Sequence, residues 1–72
     1  MASDPLTPQM RVTLRAIVNR PGNFPNFYPG GMRSVRALRR RGLVRFDDVE
    51  IMGATWPACY PTAPGFRAGM DA

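Results

Sequence analysis

Between Gly22 and Gly31 the chain reads Gly-Asn-Phe-Pro-Asn-Phe-Tyr-Pro-Gly-Gly, and this segment more than any other limits how 72 residues can fold. Two prolines, three glycines and two asparagines rule out an α-helix there. Proline lacks the backbone donor and clashes with the preceding turn, while glycine and asparagine favour turns. Yet Phe24, Phe27 and Tyr28 are too apolar for a solvated linker. The segment therefore reads as an extended aromatic connector over 22–31, laying its rings onto a core between two helices. The rival reading makes the same rings an exposed patch for a partner.

Both flanks carry helix signals. Thr7 is a good N-cap and Pro8 falls at the first helical position, where its missing donor costs nothing. Met10, Leu14, Ile17 and Val18 then recur on one stripe, with Arg11 and Arg15 on a neighbouring face, until Pro21-Gly22 stops the run. This predicts a helix over about 8–20. A second helix runs from Met32 or Arg33 to Arg41, closed by Gly42. At 100° per residue Met32, Val35 and Leu38 face inward. Arg33, Arg36, Ala37 and Arg40 face the opposite way, and Arg39 and Arg41 flank the boundary.

Beyond it, Leu43 to Phe46 reads as a short strand, Asp47-Asp48 as a turn, and Trp56 to Tyr60 as a returning strand that Pro57 confines to an edge or bulge. The tail from Thr62 to Ala68 fits a short helical turn capped by Thr62 and anchored by Phe66. All of this is one domain, 1–72, with 1–5 expected to be disordered.

With one cysteine, Cys59, and no histidine, neither an internal disulfide nor the common Cys/His zinc frameworks can form. Stability must come from packing or from association, so a homodimer is compatible with this size. Met1-Ala2-Ser3-Asp4-Pro5 lacks the positive start and apolar run of a signal peptide and no apolar run approaches the ~20 residues that span a bilayer, so no membrane partner is expected. An unpaired cysteine suits a reducing, cytoplasmic compartment. The same inventory argues against catalysis. Histidine is missing as a general base, no Ser or Cys has a visible activating partner, and the paired acids adjoin rather than face one another. No catalytic residue, metal site or cofactor is expected. The net charge is +5 and all ten basic residues are arginine, which favours a polyanionic partner. A GC-rich coding sequence would also replace lysine by arginine.

The stretch Ser34-Val35-Arg36-Ala37-Leu38-Arg39-Arg40-Arg41-Gly42-Leu43-Val44 resembles the recognition helix and first wing strand of winged-helix proteins. Tyr60-Pro61-Thr62-Ala63-Pro64-Gly65 is similar to the Leu-Thr-x-x-Gly closure of many of them, and Leu6-Thr7-Pro8 to their opening helix. The likeness spans most of the chain and points to the short winged-helix proteins of GC-rich bacteria and their phages. It implies an α+β, abbreviated winged-helix-like domain: two main helices, a β-hairpin wing and a short C-terminal helical turn. Residues 22–31 stand where a full winged helix has a further helix, and Pro61 stands where an apolar strand residue is usual.

The resemblance implies a small DNA-binding transcriptional regulator. Its second helix, about 15 Å long, would enter a major groove roughly 12 Å wide. Arg33, Arg36 and Arg40 would meet base edges or phosphates, with small Ser34 and Ala37 allowing close approach, and Arg39, Arg41 and Arg45 would hold the backbone of double-stranded DNA. The plain alternative is a solvated charged face. A second function class is a phage- or host-encoded module that binds another protein through Phe24, Phe27, Tyr28, Asp47 and Asp48. The acidic hairpin favours that class, because a wing tip bearing Asp47, Asp48 and Glu50 would be repelled by phosphate.

Overall fold

Helix α1 (Pro8–Asn19) begins where the Thr7 hydroxyl accepts from the Met10 amide at 3.1 Å and Pro8 occupies the first turn. The computed structural model describes residues 6–71, so the expectation of a disordered 1–5 lies outside the described residues. Met10, Leu14 and Ile17 form the buried stripe of α1, and Thr13 is buried among them. That hydroxyl is satisfied by the carbonyls of Gln9 (2.9 Å) and Pro29 (2.5 Å), so it ties the connector to the helix.

The connector is only partly extended. Pro25–Phe27 forms a single 3₁₀ turn, which corrects the wholly extended reading. Proline is excluded from a helix interior but fits the first position of a short turn, and Pro25 takes that place. The turn splits the aromatics. Tyr28 is buried, its hydroxyl donating to Arg20 O (2.5 Å) and accepting from Asn23 N (3.1 Å), whereas Phe27 is turned outward. Before the turn, Gly22 N donates to Cys59 O at 2.7 Å and Cys59 N donates to Asn23 O at 2.9 Å, so the connector adds an edge to the sheet.

Helix α2 (Gly31–Arg40) starts two residues before Arg33 and buries Val35, Leu38 and Ser34. Its end is set by Gly42 at φ +74°. Gly42 N donates to Arg39 O and Leu43 N to Leu38 O, which satisfies the last carbonyls as a left-handed cap does.

Strands β1 (Val44–Ile51) and β2 (Ala54–Pro61) form a two-stranded antiparallel hairpin. Asp47-Asp48 is not a turn but the middle of β1, paired with Ala58 and Pro57. The turn is Met52-Gly53, at φ +52° and +82° between the partners Ile51 and Ala54. A two-residue hairpin turn with both φ positive matches the strand twist, and aspartates facing water do not disturb a strand. Val44, Phe46, Asp48 and Glu50 share one face with Pro61, Cys59, Pro57 and Thr55. Its inner half packs on the helices, with Val44 and Cys59 buried and Phe46 against the core. Since Cys59 turns its backbone groups towards Asn23, Pro57 two residues earlier points its missing donor away from β1.

Helix α3 (Ala63–Asp71) is longer than the single turn expected. Thr62 caps it, accepting from Gly65 N at 3.1 Å, but Phe66 is 48 % exposed and does not anchor it. The buried residues are Gly65 and Gly69. A Cβ at Gly65 would sit 1.7 Å from Leu43 O, and one at Gly69 2.5 Å from a methyl of Val18. Helix α3 thus docks through its bare backbone. The result is an α+β, winged-helix-like order of three helices and a hairpin.

Gly65→Ala is expected to lose roughly 3 kcal/mol, because the clash is with backbone rather than a flexible side chain. Thr62→Val is expected to lose about 2 kcal/mol with the cap and its bond to Gly42 O. Urea unfolding at constant m-value checks both; wild-type midpoints would refute this account of α3.

Candidate nucleic-acid interface

The face of α2 opposite Val35 and Leu38 carries Arg33, Arg36 and Arg40, all exposed. None of the three forms an ion pair within the described residues. At 1.5 Å per residue they span about 10 Å along the axis, comparable to three phosphate-to-phosphate steps along the axis of one strand. Each guanidinium offers a planar fork for phosphate oxygens or the guanine edge. The charge around them is one-sided: from Leu6 to Phe46 the chain has nine arginines and no acidic residue. Arg39 and Arg40 also lie in the last turn of α2, where cations complement the helix dipole.

The other expected contacts divide. Arg41 is exposed just past the helix end. Arg39 lies over the Phe46 ring, 4.9 Å from its centroid, and so joins helix to hairpin at the edge of the basic face. Ser34 is buried against Gly30, where an added Cβ would clash with its hydroxyl, so it is not part of the exposed face. Ala37 is half-buried and packed against the core, on the flank towards α1 rather than among the arginines. The cause is the same for both: α1 covers that side of α2. Arg45 sits on the outer face of the hairpin, 5.0 Å over Tyr60 and paired with Asp47. Strand alternation turns it away from the side that meets the helices. Arg11 borders a shallow hollow with Leu6, Ala68 and Asp71, on the α3 side of α1.

Sequence reasoning did not single out the groove between the start of α1 and α2, lined by Thr7, Gln9, Gly30, Arg33 and Ala37. It extends the basic face with the polar Gln9 amide, and its signal was a polar residue one step past the Thr7-Pro8 cap.

The proposed partner residues also separate. Tyr28 is buried, Asp47 is held by Arg45, and Asp48 lies on the opposite face of the hairpin. Phe27 is 73 % exposed and stacks on Phe24 (5.8 Å between centroids), which stacks in turn on Trp56 (5.6 Å).

Among the described residues no three His, Cys, Asp or Glu side chains gather as a metal site, and no helix is long and apolar enough to cross a membrane. Set against family models, curated proteins and solved structures, the chain finds no match.

Cys59 is buried at the centre of the core, and burial pushes its thiol up to about 11. Burial likewise raises the Tyr28 hydroxyl. A raised pKa in the folded state means stability is intact below the ordinary thiol value of about 8.5 and is lost as pH rises through 11. Urea midpoints from pH 7 to 11 should therefore fall more for wild type than for Cys59→Ala, by on the order of 2 kcal/mol at the alkaline end. Parallel curves for the two proteins would contradict this.

Proposed function

We propose that the chain binds double-stranded DNA through the Arg33, Arg36 and Arg40 face of α2, acting as a small transcriptional regulator related to short winged-helix proteins. One observation carries the reading: three exposed arginines, without acidic partners in the described residues, project from a helix capped at its C-terminal end and packed on its opposite face. A solvated surface that served only to keep charge outside would gain from interleaved acids, and this one has none over forty residues of chain. Arg41 and Arg39 add backbone contacts at the helix end. Asp48 and Glu50 in the outer wing are repelled by phosphate, so in this reading the wing lies off the duplex and the helix docks by itself. Catalysis has no part in this proposal, and neither does a cofactor.

The alternative, a protein-binding module using the aromatic connector, draws on the exposed Phe27 stack. That surface is built from the connector and the hairpin and does not include Arg33, Arg36 or Arg40.

The test is fluorescence anisotropy with a random-sequence duplex, titrated across salt. Three to five neutralised phosphates give a log–log slope between about −3 and −4.5. Arg33→Ala/Arg36→Ala/Arg40→Ala is expected to weaken binding more than tenfold and to flatten the slope by nearly 3, since each lost phosphate contact removes about 0.9. Arg20→Ala/Arg67→Ala, which lowers charge elsewhere, should stay near wild type. Equal binding by the triple variant, or none by wild type at low salt, would overturn the assignment.

A further inference from the structure

The outer face of the wing takes no part in the proposed DNA binding, and with the hairpin tip and the adjoining connector it gathers Val49, Ile51, Met52, Trp56 and Phe27, five of the eight large apolar side chains exposed among the described residues. Alternation places Val49 and Ile51 of β1 on the same side as Trp56 of β2, with Val49 directly opposite Trp56. Phe24 and Phe27 of the connector adjoin them through the aromatic stack. Between Phe24, Phe27, Val49 and Ile51 lies a shallow recess of about 160 Å³. At the tip of the same hairpin stands Met52, wholly exposed.

Met52 is the odd residue of this hairpin. Its φ of +52° is a left-handed conformation that costs an L-residue roughly 1–2 kcal/mol, and asparagine or glycine would serve the turn better. A long, flexible, apolar side chain kept at a strained and fully wet position points to a use outside the monomer.

We propose that this face is a homodimer interface, two wings packing across a two-fold axis with Met52 of each copy entering the recess of the other. Several observations favour a second copy over an unrelated partner. The hairpin offers both a knob at its tip, Met52, and a hollow beside Ile51, as a self-complementary two-fold contact requires. Its outer face is also electrically neutral: Arg45 and Asp47 compensate each other on it, while Asp48 and Glu50 point from the opposite face. Two copies therefore meet without opposing like charges. The exposed parts of Phe27, Trp56, Ile51, Val49 and Met52 offer on the order of 600 Å², so a pair buries about 1,200 Å², the lower bound for a specific interface. A chain this short without disulfide or metal also gains from such burial. The free edge of β1 does not serve instead, because Asp48 and Glu50 stand along it and charges there oppose edge-to-edge pairing. The dimer leaves the arginines of α2 uncovered, and it stands or falls independently of the DNA reading.

Sedimentation velocity from 1 to 200 μM, with tryptophan emission recorded in parallel, tests it. Trp56 is the single tryptophan of the chain, so its emission reports this face alone. The expected result is a concentration-dependent doubling of mass with a blue shift of Trp56. Ile51→Asp should remain monomeric throughout. Met52→Asn should raise the dissociation constant at least tenfold while the dilute monomer melts no lower than wild type, which separates a lost contact from a lost fold. Arg33→Ala/Arg36→Ala/Arg40→Ala should dimerise as wild type does. A monomer at every concentration would overturn the proposal, as would a dimer whose Trp56 emission is unchanged or which Ile51→Asp leaves intact.

Discussion

Helix α2, the hairpin and α3 meet at the two peptide groups of Gly42 and Leu43. The Thr62 hydroxyl donates to Gly42 O at 2.6 Å while Thr62 N donates to Leu43 O at 3.0 Å. Gly65 lies so close to that same Leu43 carbonyl that no Cβ fits between them. Leu43 N, in turn, closes the last turn of α2 on Leu38 O. The end of the arginine helix, the base of the hairpin and the start of α3 are thus bonded to one short stretch of backbone. Backbone junctions of this kind define direction more sharply than side-chain packing, because each bond has one donor, one acceptor and a narrow range of angles. They also give the Thr-x-x-Gly closure a mechanical meaning: threonine caps one helix while holding the end of another, and glycine lets the two backbones touch.

That junction decides which way charge faces. With the end of α2 fixed and its Val35–Leu38 side against α1 and the hairpin, Arg33, Arg36 and Arg40 have only solvent before them. The acids are confined to the hairpin and the two ends of the sequence, and within the hairpin Asp47 is used against Arg45. Charge segregation along the sequence becomes segregation in space, a basic helical body and a wing with one acidic and one apolar face. The small core, built from Leu14, Ile17, Val35, Leu38, Tyr28 and Cys59, is what these surfaces share.

The helices were legible in the sequence because their ends are chemically marked. Thr7-Pro8 and Gly42 act through local backbone geometry that needs no tertiary context. The wing was legible as a hairpin but not in its register. Asp47-Asp48 has turn composition, whereas the true turn puts a methionine in a left-handed conformation that no propensity favours. With a turn at Asp47-Asp48, Val49 and Ile51 would fall outside the pairing, whereas the true register sets Val49 opposite Trp56 and makes one apolar face. In the connector, Phe27 and Tyr28 are adjacent and similarly apolar. Which one is buried depends on the 3₁₀ turn begun by Pro25 and on the bonds Tyr28 makes to Arg20 and Asn23. The arginine face itself followed from helical periodicity alone. Its borders did not, because burial of Ser34 and Ala37 is set by α1 rather than by α2.

The central claim is that α2 presents its arginines to DNA while the wing stays clear, and an amide chemical-shift titration with a short duplex addresses it residue by residue. The account predicts shifts confined to residues 30–42 and the neighbouring Gln9, growing as salt is lowered, with the Trp56 indole N–H and the amides of Asp48 and Glu50 unmoved. Shifts concentrated in the wing with α2 silent, or a spectrum unchanged at low salt, would contradict it.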